Sequence, residues 1–411
     1  MKIEGFIVQR LETDKDIEQY SVLMRNVFRE EAGVDKLAKK LIDYHPTMTL
    51  KDFFIIKHKR RLVSTINLIP VTWSIGGIPL KVAEMGMVAT LPEYRGKGSI
   101  RRLVDEFHKE VKDQAYDLAV IEGIPYFYRQ FGYEYAVPLL EETRIRLDQI
   151  PDSKSKITIC SFTQKDIPNA MKLLEQSQRK FCVHSVRNNA VWRMQEKTGI
   201  ASDPEPFQAF AVEEEEKLIA YFRMRENRKE KELILTEITE VDQLAAQAVL
   251  SFLRNFGLER DLEILSAHIS YEEPLTEHLI ALGAVKRIPT YAWQVRITDY
   301  LKIFEKLRPL FESRLAASVY RRLTETLNFN FRSFTVQMEV REGKIVRIQK
   351  IDAGERSPIG LNPSVFVQLL MGYRSRQELE TTFPDVRIDV SHKRLIDILF
   401  PKLPSHIHSA Y

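Results

Sequence analysis

The sequence predicts a multidomain chain of α/β and α+β units, with one strand–helix–hairpin arrangement used twice and a smaller unit of strands and short helices after it. Three observations carry this. Residues 6–17 read FIVQRLETDKDI and residues 157–167 read ITICSFTQKDI, a short apolar alternation followed in both by Thr, two residues, Asp and an apolar residue. At 411 residues the chain exceeds one ordinary core, and the size prior points to about three domains. Near Thr298 the pattern changes to a helix, alternating strands and short helices.

Each element follows from its residues. Thr13 with Asp16, and Thr163 with Asp166, read as helix-start caps in which a hydroxyl meets an orphan backbone N–H. Helical spacing follows in both copies, with Ile17, Tyr20, Leu23, Met24, Val27 and Phe28 in the first and Ile167, Ala170, Met171, Leu173 and Leu174 in the second. A hairpin then recurs: 53–56 turning over Lys59-Arg60 into 62–69, and 207–212 turning over 213–217 into 218–224. One Thr-x-Lys-Asp-Ile match would be chance, but its recurrence in the same order of elements, roughly 150 residues on, reads as a duplicated unit. In the third region a helix is expected over 299–323, strands over 331–340 and 344–350, helices over 363–372, 376–381 and 391–400, and an extended tail over 401–411. The expected domains are therefore 1–150, 151–297 and 298–411.

Composition excludes several function classes. Hydrophobic residues make up 44% and charged residues 29%, the balance of a globular chain. A net charge of +4 lacks the clustered Lys and Arg of a nucleic-acid or anionic-membrane binder. The dense run Lys57-His58-Lys59-Arg60-Arg61 falls at a hairpin turn and reads as solvated. Two cysteines, Cys160 and Cys182, build no disulfide framework and favour a reducing compartment. Met1-Lys2-Ile3-Glu4-Gly5 has no signal-peptide core, and no segment reaches the ~18 apolar residues of a spanning helix, so a cytoplasmic protein is expected. His406 and His408 form an HxH pair without Cys or carboxylate companions, and no metal site is expected. Cys182 and His184 lack an orienting acid and read as structural.

Chemistry concentrates in 82–135. A buried strand over 82–90 runs into Leu91-Pro92-Glu93-Tyr94-Arg95-Gly96-Lys97-Gly98-Ser99, and Ile100, Leu103, Val104, Phe107 and Val111 then line one helical face. Such a strand–loop–helix junction offers unpaired N–H groups and a positive dipole end to an anion. Gly96 and Gly98 let backbone approach a ligand, and Arg95 and Lys97 add charge. The spacing is neither that of a nucleoside-triphosphate loop nor GxGxxG. The plain alternative is a basic turn ahead of a surface helix.

Arg95-Gly96-Lys97-Gly98, after an apolar strand ending Val88-Ala89-Thr90-Leu91-Pro92, resembles the coenzyme A signature of GNAT acetyltransferases. Ile100 stands where that signature's last small residue is expected, and a bulky apolar residue there resembles the Eis (enhanced intracellular survival) group. Tyr128-Arg129-Gln130-Phe131-Gly132-Tyr133 and Leu370-Met371-Gly372-Tyr373-Arg374-Ser375 extend the resemblance over nearly the whole chain. It implies tandem GNAT folds, mixed twisted sheets flanked by helices, plus a C-terminal sterol-carrier-like α+β domain. It also implies acetyl-CoA as co-substrate, an amine acceptor and a homo-hexamer. Val88, Ala89 and Thr90 would meet the pantetheine arm; Arg95, Gly96, Lys97, Gly98, Ser99, Ile100 and Arg101 would cradle the pyrophosphate. In the second copy the corresponding stretch is Thr239-Glu240-Val241-Asp242-Gln243-Leu244-Ala245, with no glycine and carboxylates facing any phosphate. One cofactor site per chain is expected.

Acetyl transfer to an amine fixes further roles. An alkyl amine of pKa ~10 must lose a proton before attack, the oxyanion needs N–H donors, and the departing thiolate gains from an acid. Tyr126 and Tyr128 flank the expected site, and residues two apart on a helix point apart, so one of them reaches the sulfur. The resemblance selects Tyr128 as the acid. It makes the carboxylate of the last residue, Tyr411, the base, with Glu84 on the 82–90 strand as the alternative. His45 is a candidate for the acceptor pocket's border. The competing function is a non-enzymatic carrier, its sterol-carrier-like domain holding an apolar ligand beside a vestigial first copy.

Overall fold

A computed structural model describes residues 6–29, 34–139, 141–199, 206–287, 291–353 and 357–408. The first third runs β1 (Ile7–Arg10), α1 (Asp14–Val27), α2 (Val34–Tyr44), the hairpin β2 (Phe53–His58) and β3 (Arg61–Ile75), β4 (Ile78–Thr90), α3 (Ser99–Asp113), β5 (Leu118–Ile121), β6 (Glu134–Pro138) and β7 (Glu142–Arg146). The second repeats the plan: β8 (Thr158–Ser161), α4 (Ile167–Gln178), β9 (Val183–Val186), α5 (Asn189–Thr198), β10 (Gln208–Glu214), β11 (Lys217–Asn227), β12 (Glu232–Ile238), α6 (Gln243–Leu258), β13 (Ile264–Ala267), α7 (Pro274–Ala281), β14 (Val285–Arg287) and β15 (Ala292–Ile297). The third comprises α8 (Tyr300–Lys306), α9 (Arg308–Ala316), β16 (Glu325–Asn330), β17 (Thr335–Arg341), β18 (Lys344–Ile351), β19 (Ile359–Gly360), α10 (Pro363–Leu370), α11 (Arg376–Thr382), β20 (Arg387–Ile388) and α12 (Val390–Leu399).

Three sheets organise these elements, giving a mixed α/β chain. The first has the order β1-β2-β3-β4-β5-β15-β6 with β9 against β3, the second β14-β7-β13-β12-β11-β10-β8, and the third β18-β17-β16-β19-β20. The first two exchange strands across the expected boundaries. β7, from within residues 1–150, pairs β13 of the second sheet; β15, from within 151–297, lies between β5 and β6 of the first. Each insertion gives a flanking strand its backbone partner and removes an exposed edge. Apolar cores fill both lobes, including Phe53, Phe54, Leu103 and Phe107 in the first and Phe222, Leu235, Val249 and Leu253 in the second. Among the described residues no helix is long and apolar enough to cross a membrane.

Local expectations divide instructively. Thr13 caps α1, its hydroxyl accepting from the Asp16 amide at 3.2 Å. Thr163 does not cap: α4 starts after Asp166, and the Thr163 hydroxyl donates to the Asp166 carboxylate at 2.7 Å. Pro168 in the first turn of α4 instead places the helix start at Ile167. The helix expected over 299–323 breaks at Leu307 and ends at Ala316, because Pro309 supplies no N–H and fixes the start of a new helix. The strand expected over 331–340 is β17, over 335–341; β16, over 325–330, lies ahead of the expected span, and a turn at Arg332 (φ 68) separates the two.

Candidate acyl-transfer site

The first sheet opens where chemistry was expected. β4 and β5 run parallel yet pair only at Val82↔Leu118, Ala83↔Ala119 and Glu84↔Val120. Beyond that point β4 stays with β3 as far as Thr90, while β5 stays with β15 through Ile121↔Gln294. The two strands therefore part, leaving a wedge along residues 85–90 of β4. A bulge lies on this stretch: Thr65 pairs Ala89 and Asn67 pairs Gly86, so Met87 and Val88 together oppose Ile66, with Met87 at φ 51. Bulges re-aim a strand in this way beside active sites. The Leu91 amide donates to the Val63 carbonyl at 3.0 Å, so alternation along the regular stretch turns the Thr90 N–H away from β3, toward the wedge. Ala89 faces β3, and the Thr90 hydroxyl is bonded to Ser64 at 2.7 Å. Glu84 is buried at the apex.

At the end of β4 the chain enters the cradle. Gly96 and Gly98 sit at φ +72 and +85, and a Cβ on either would meet open space. These angles, not crowding, demand glycine. Gly98 is the N-cap of α3 and provides no side-chain cap. Among the described residues, none accepts from the amides of Gly96, Lys97, Gly98, Ser99 or Ile100. The first turn of α3 thus keeps free donors at its positive end, the arrangement that binds phosphate. Arg95, Lys97 and Arg101 are exposed around it. Arg95 is tethered by Nε to the Thr90 carbonyl at 3.3 Å, and Arg101 donates to Gln130 at 2.8 Å. Ser99 is buried and Ile100 half-buried, so their backbones, rather than their side chains, face a ligand. The second lobe's matching helix is closed. Asp242 caps α6, its carboxylate accepting from the Ala245 amide at 2.8 Å, and Glu240 lies beside it.

Tyr126 and Tyr128 separate, but not through helical spacing, because Tyr126 at φ 66 stands outside the turn that holds Tyr128. Tyr126 is 74% exposed and Tyr128 only 4%. Tyr128 lies in a short 3-10 turn, Phe127–Phe131, entered through Tyr126 and left through Gly132, both left-handed. Its ring packs on Phe127 and Tyr133, and its hydroxyl bonds no described residue. Burial pushes its pKa up. Two positioning residues escaped sequence reasoning. A Cβ on Gly123 would lie 2.2 Å from Tyr128 Cε2, so only glycine seats this ring. Gln294, on the exchanged strand β15, donates from Nε2 to the Gly123 carbonyl at 3.0 Å and holds that turn. Glu122, the first residue past β5, was also missed; surrounding protein raises its pKa by desolvation. The Glu-Gly-x-Pro run ahead of an aromatic cluster was the available signal.

The chain end approaches from the third unit. Tyr411 lies outside the described residues. Up to His408 the tail docks beside β9: Cys182 N–H donates to the Pro404 carbonyl (2.7 Å), His406 N–H to Val183 (2.9 Å), and the Ser185 hydroxyl to the His408 carbonyl (2.9 Å). His184 and His406 form a parallel bridge. The Leu370–Ser375 motif serves this docking, since Gly372 (φ +67) lies where a Cβ would meet Pro401 O at 3.1 Å and Cys182 Sγ at 3.2 Å. His45 is held locally: its Nδ1 accepts from the amides of Thr47 and Met48, and burial lowers its pKa to about 4. Among the described residues no group of His, Cys, Asp or Glu could hold a metal ion.

Residues 9–136 match the family profile of the acetyltransferase (GNAT) domain. The fold is similar to that of a GCN5-related N-acetyltransferase from Anabaena variabilis (17% identity, 99% of this chain and 100% of that one, TM-score 0.75). It is similar over the same shares, with the same identity and TM-score, to an Enterococcus faecalis protein of unknown function described as a probable N-acyltransferase. Eis1 from Mycobacterium abscessus shares the fold at 14% identity, covering 98% of this chain and 100% of its own (TM-score 0.67). No curated protein matches the sequence. The wedge and cradle thus lie within the residues that match the acetyltransferase (GNAT) domain.

Proposed function

We propose that this chain transfers the acetyl group of acetyl-CoA to a primary amine, of the aminoglycoside, polyamine or lysine type, by direct attack on the thioester. The observation that carries this reading is the set of free amides from Gly96 to Ile100 at the mouth of the wedge. The pyrophosphate docks there, with Arg95, Lys97 and Arg101 adding charge, and the pantetheine arm runs along Val88, Ala89 and Thr90. The Thr90 amide supplies a donor for the oxyanion. Tyr128 protonates the departing thiolate. Burial raises its pKa, which keeps the phenol protonated until a thiolate develops beside it. The Tyr411 carboxylate takes the amine's proton, with Glu84 as the alternative base. One site per chain operates, because the Asp242 cap occupies the second lobe's helix start. The third unit is proposed as a sterol-carrier-like domain that delivers the tail, and the protein as a cytoplasmic homo-hexamer.

Calorimetric titration with acetyl-CoA tests the cradle. Saturable binding at millimolar or tighter affinity is expected, and its absence ends the reading. Tyr128→Phe should then lower turnover roughly 10²- to 10⁴-fold, the usual worth of an acid, with coenzyme affinity unchanged. Equal turnover removes Tyr128 from the role.

A further inference from the structure

The face of the second sheet that carries α5 holds a buried charged network that neither the cradle nor the wedge uses. Arg223 and Glu237 are register partners on β11 and β12, and Tyr221 shares their face. Arg187, just past β9, donates to Glu237 at 2.6 Å, to Tyr221 at 3.0 Å and to Gln195 at 2.9 Å. Arg223 donates to Gln195 and Glu196, both at 2.8 Å, and Tyr221 donates to Glu237. Arg187 and Arg223 also stack over Trp192. Burying two arginines and a glutamate is costly, and an apolar cluster of equal volume would hold this lobe at least as well.

What an apolar cluster could not do is receive a polar strand. Glu237 lies past Leu235, the last β12 residue paired with β13, on the stretch that corresponds to the open wedge of β4. Here that position faces the tail: His408 Nδ1 is 3.5 Å from the second Glu237 oxygen. His408 is buried, its carbonyl is held by Ser185, and its ring meets His406 at 4.3 Å.

We propose that the second lobe is a clamp for the C-terminal tail, in which Glu237, fixed between Arg187 and Arg223, receives the His408 ring and thereby sets where the terminal carboxylate acts. His408 and Glu237 are positioning residues. The lobe's lost cofactor function and its costly buried charges then have one explanation. The catalytic part of the inference rests on the proposed base role of Tyr411.

The test compares four forms of the full-length enzyme: wild type, His408→Phe, His408→Asn and a chain lacking residues 409–411. His408→Phe keeps a ring but no ring nitrogen; His408→Asn retains a polar group near the position of Nδ1. Hydrogen exchange of segment 403–408 and steady-state kinetics are read together. His408→Phe should raise exchange there at least tenfold and lower kcat at least tenfold, with KM for acetyl-CoA within twofold of wild type, and His408→Asn should recover part of both losses. Unchanged exchange in His408→Phe overturns the clamp. So does full kcat in His408→Phe when the truncated chain has lost its own. A truncated chain with full turnover instead sinks the Tyr411 base, while the exchange data still decide the clamp.

Discussion

Gly123→Ala adds one atom, which presses chiefly on Tyr128 and more lightly on Ile121 Cγ1 at 3.1 Å. The added Cβ would lie 2.2 Å from Cε2 and 2.6 Å from Cδ2 of that ring, against an ordinary contact of at least 3.4 Å. The ring edge must therefore retreat by about 1.2 Å or the turn must move. Retreat is hindered because Phe127 and Tyr133 pack edge-on at 5.0 and 6.2 Å. Moving the turn would disturb the Gln294 bond to the Gly123 carbonyl. Overpacking of this kind costs about 1–3 kcal/mol in stability, and a displacement near 1 Å costs up to about 10²-fold in rate. We expect kcat to fall roughly 10- to 100-fold, with acetyl-CoA affinity within about twofold, since the cradle is untouched. A double-mutant cycle supplies the control. Placed in a Tyr128→Phe background, Gly123→Ala should cost little further turnover, because the hydroxyl it displaces is already gone. Full activity of the single variant, or an undiminished loss in the Phe background, would refute the argument that Gly123 acts through Tyr128.

Gly98→Ala forces a Cβ into φ +85 at the start of α3 and should cost about 1 kcal/mol of stability. Coenzyme affinity should fall severalfold by calorimetry, with kcat at saturation nearly unchanged. Gly372→Ala strains φ +67 and crowds Pro401, Cys182 and Leu403, so it should loosen the tail, readable as faster exchange at the His406 amide. Tail docking should also weaken in acid. Burial, the first cause in each case, lowers His184 and His408 to about 4 from 6.5 and His406 further. Glu237 opposes this at His406 and His408, and Glu175 and the Phe181 backbone at His184. Arg187, Arg223 and His184 reinforce it at His408, and His408 and Lys180 at His406. These are depressed pKa values, so docking is complete above pH 6.5 and is lost as pH falls toward 4. The cost is about 3 kcal/mol for each fully shifted ring. Exchange at the tail measured from pH 7 to 4 checks it, and a flat profile contradicts it.

The repeat and the cradle were legible because each is written in local chemistry. Alternation and helical spacing mark β2, β3, α1 and α3, and two glycines between a strand and a helix permit few conformations. The break at Pro309 was legible in principle, since proline ends one helix and starts another. Strand exchange was not. The alternation of Ala292, Trp293, Gln294 and Val295 announces a strand, but nothing along the chain says which sheet lacks one between β5 and β6. Gly123 reads as an ordinary turn residue until the Tyr128 ring is seen above it. The tail hides for a related reason: Ser405, His406, Ile407 and His408 show no amphipathic period, and their docking rests on partners more than 200 positions earlier.

The exchange of β7 and β15 constrains how such a chain can work. If each lobe were closed on its own residues, the second could be lost once its helix start had been capped by Asp242. Instead β15 holds Gln294 against the turn that seats Tyr128, and β9 bonds β3 along Thr72↔Val186 to Ile75↔Val183 while its other edge receives the tail. The catalytic lobe therefore draws two of its strands from beyond residue 150. Removing the second lobe would leave β5 and β6 without the strand between them and expose their backbone edges. It would also deprive Gly123 of its brace. A lobe that offers no phosphate site thus still supplies β15 and β9 to the first sheet, and with β15 the brace on the turn that seats Tyr128.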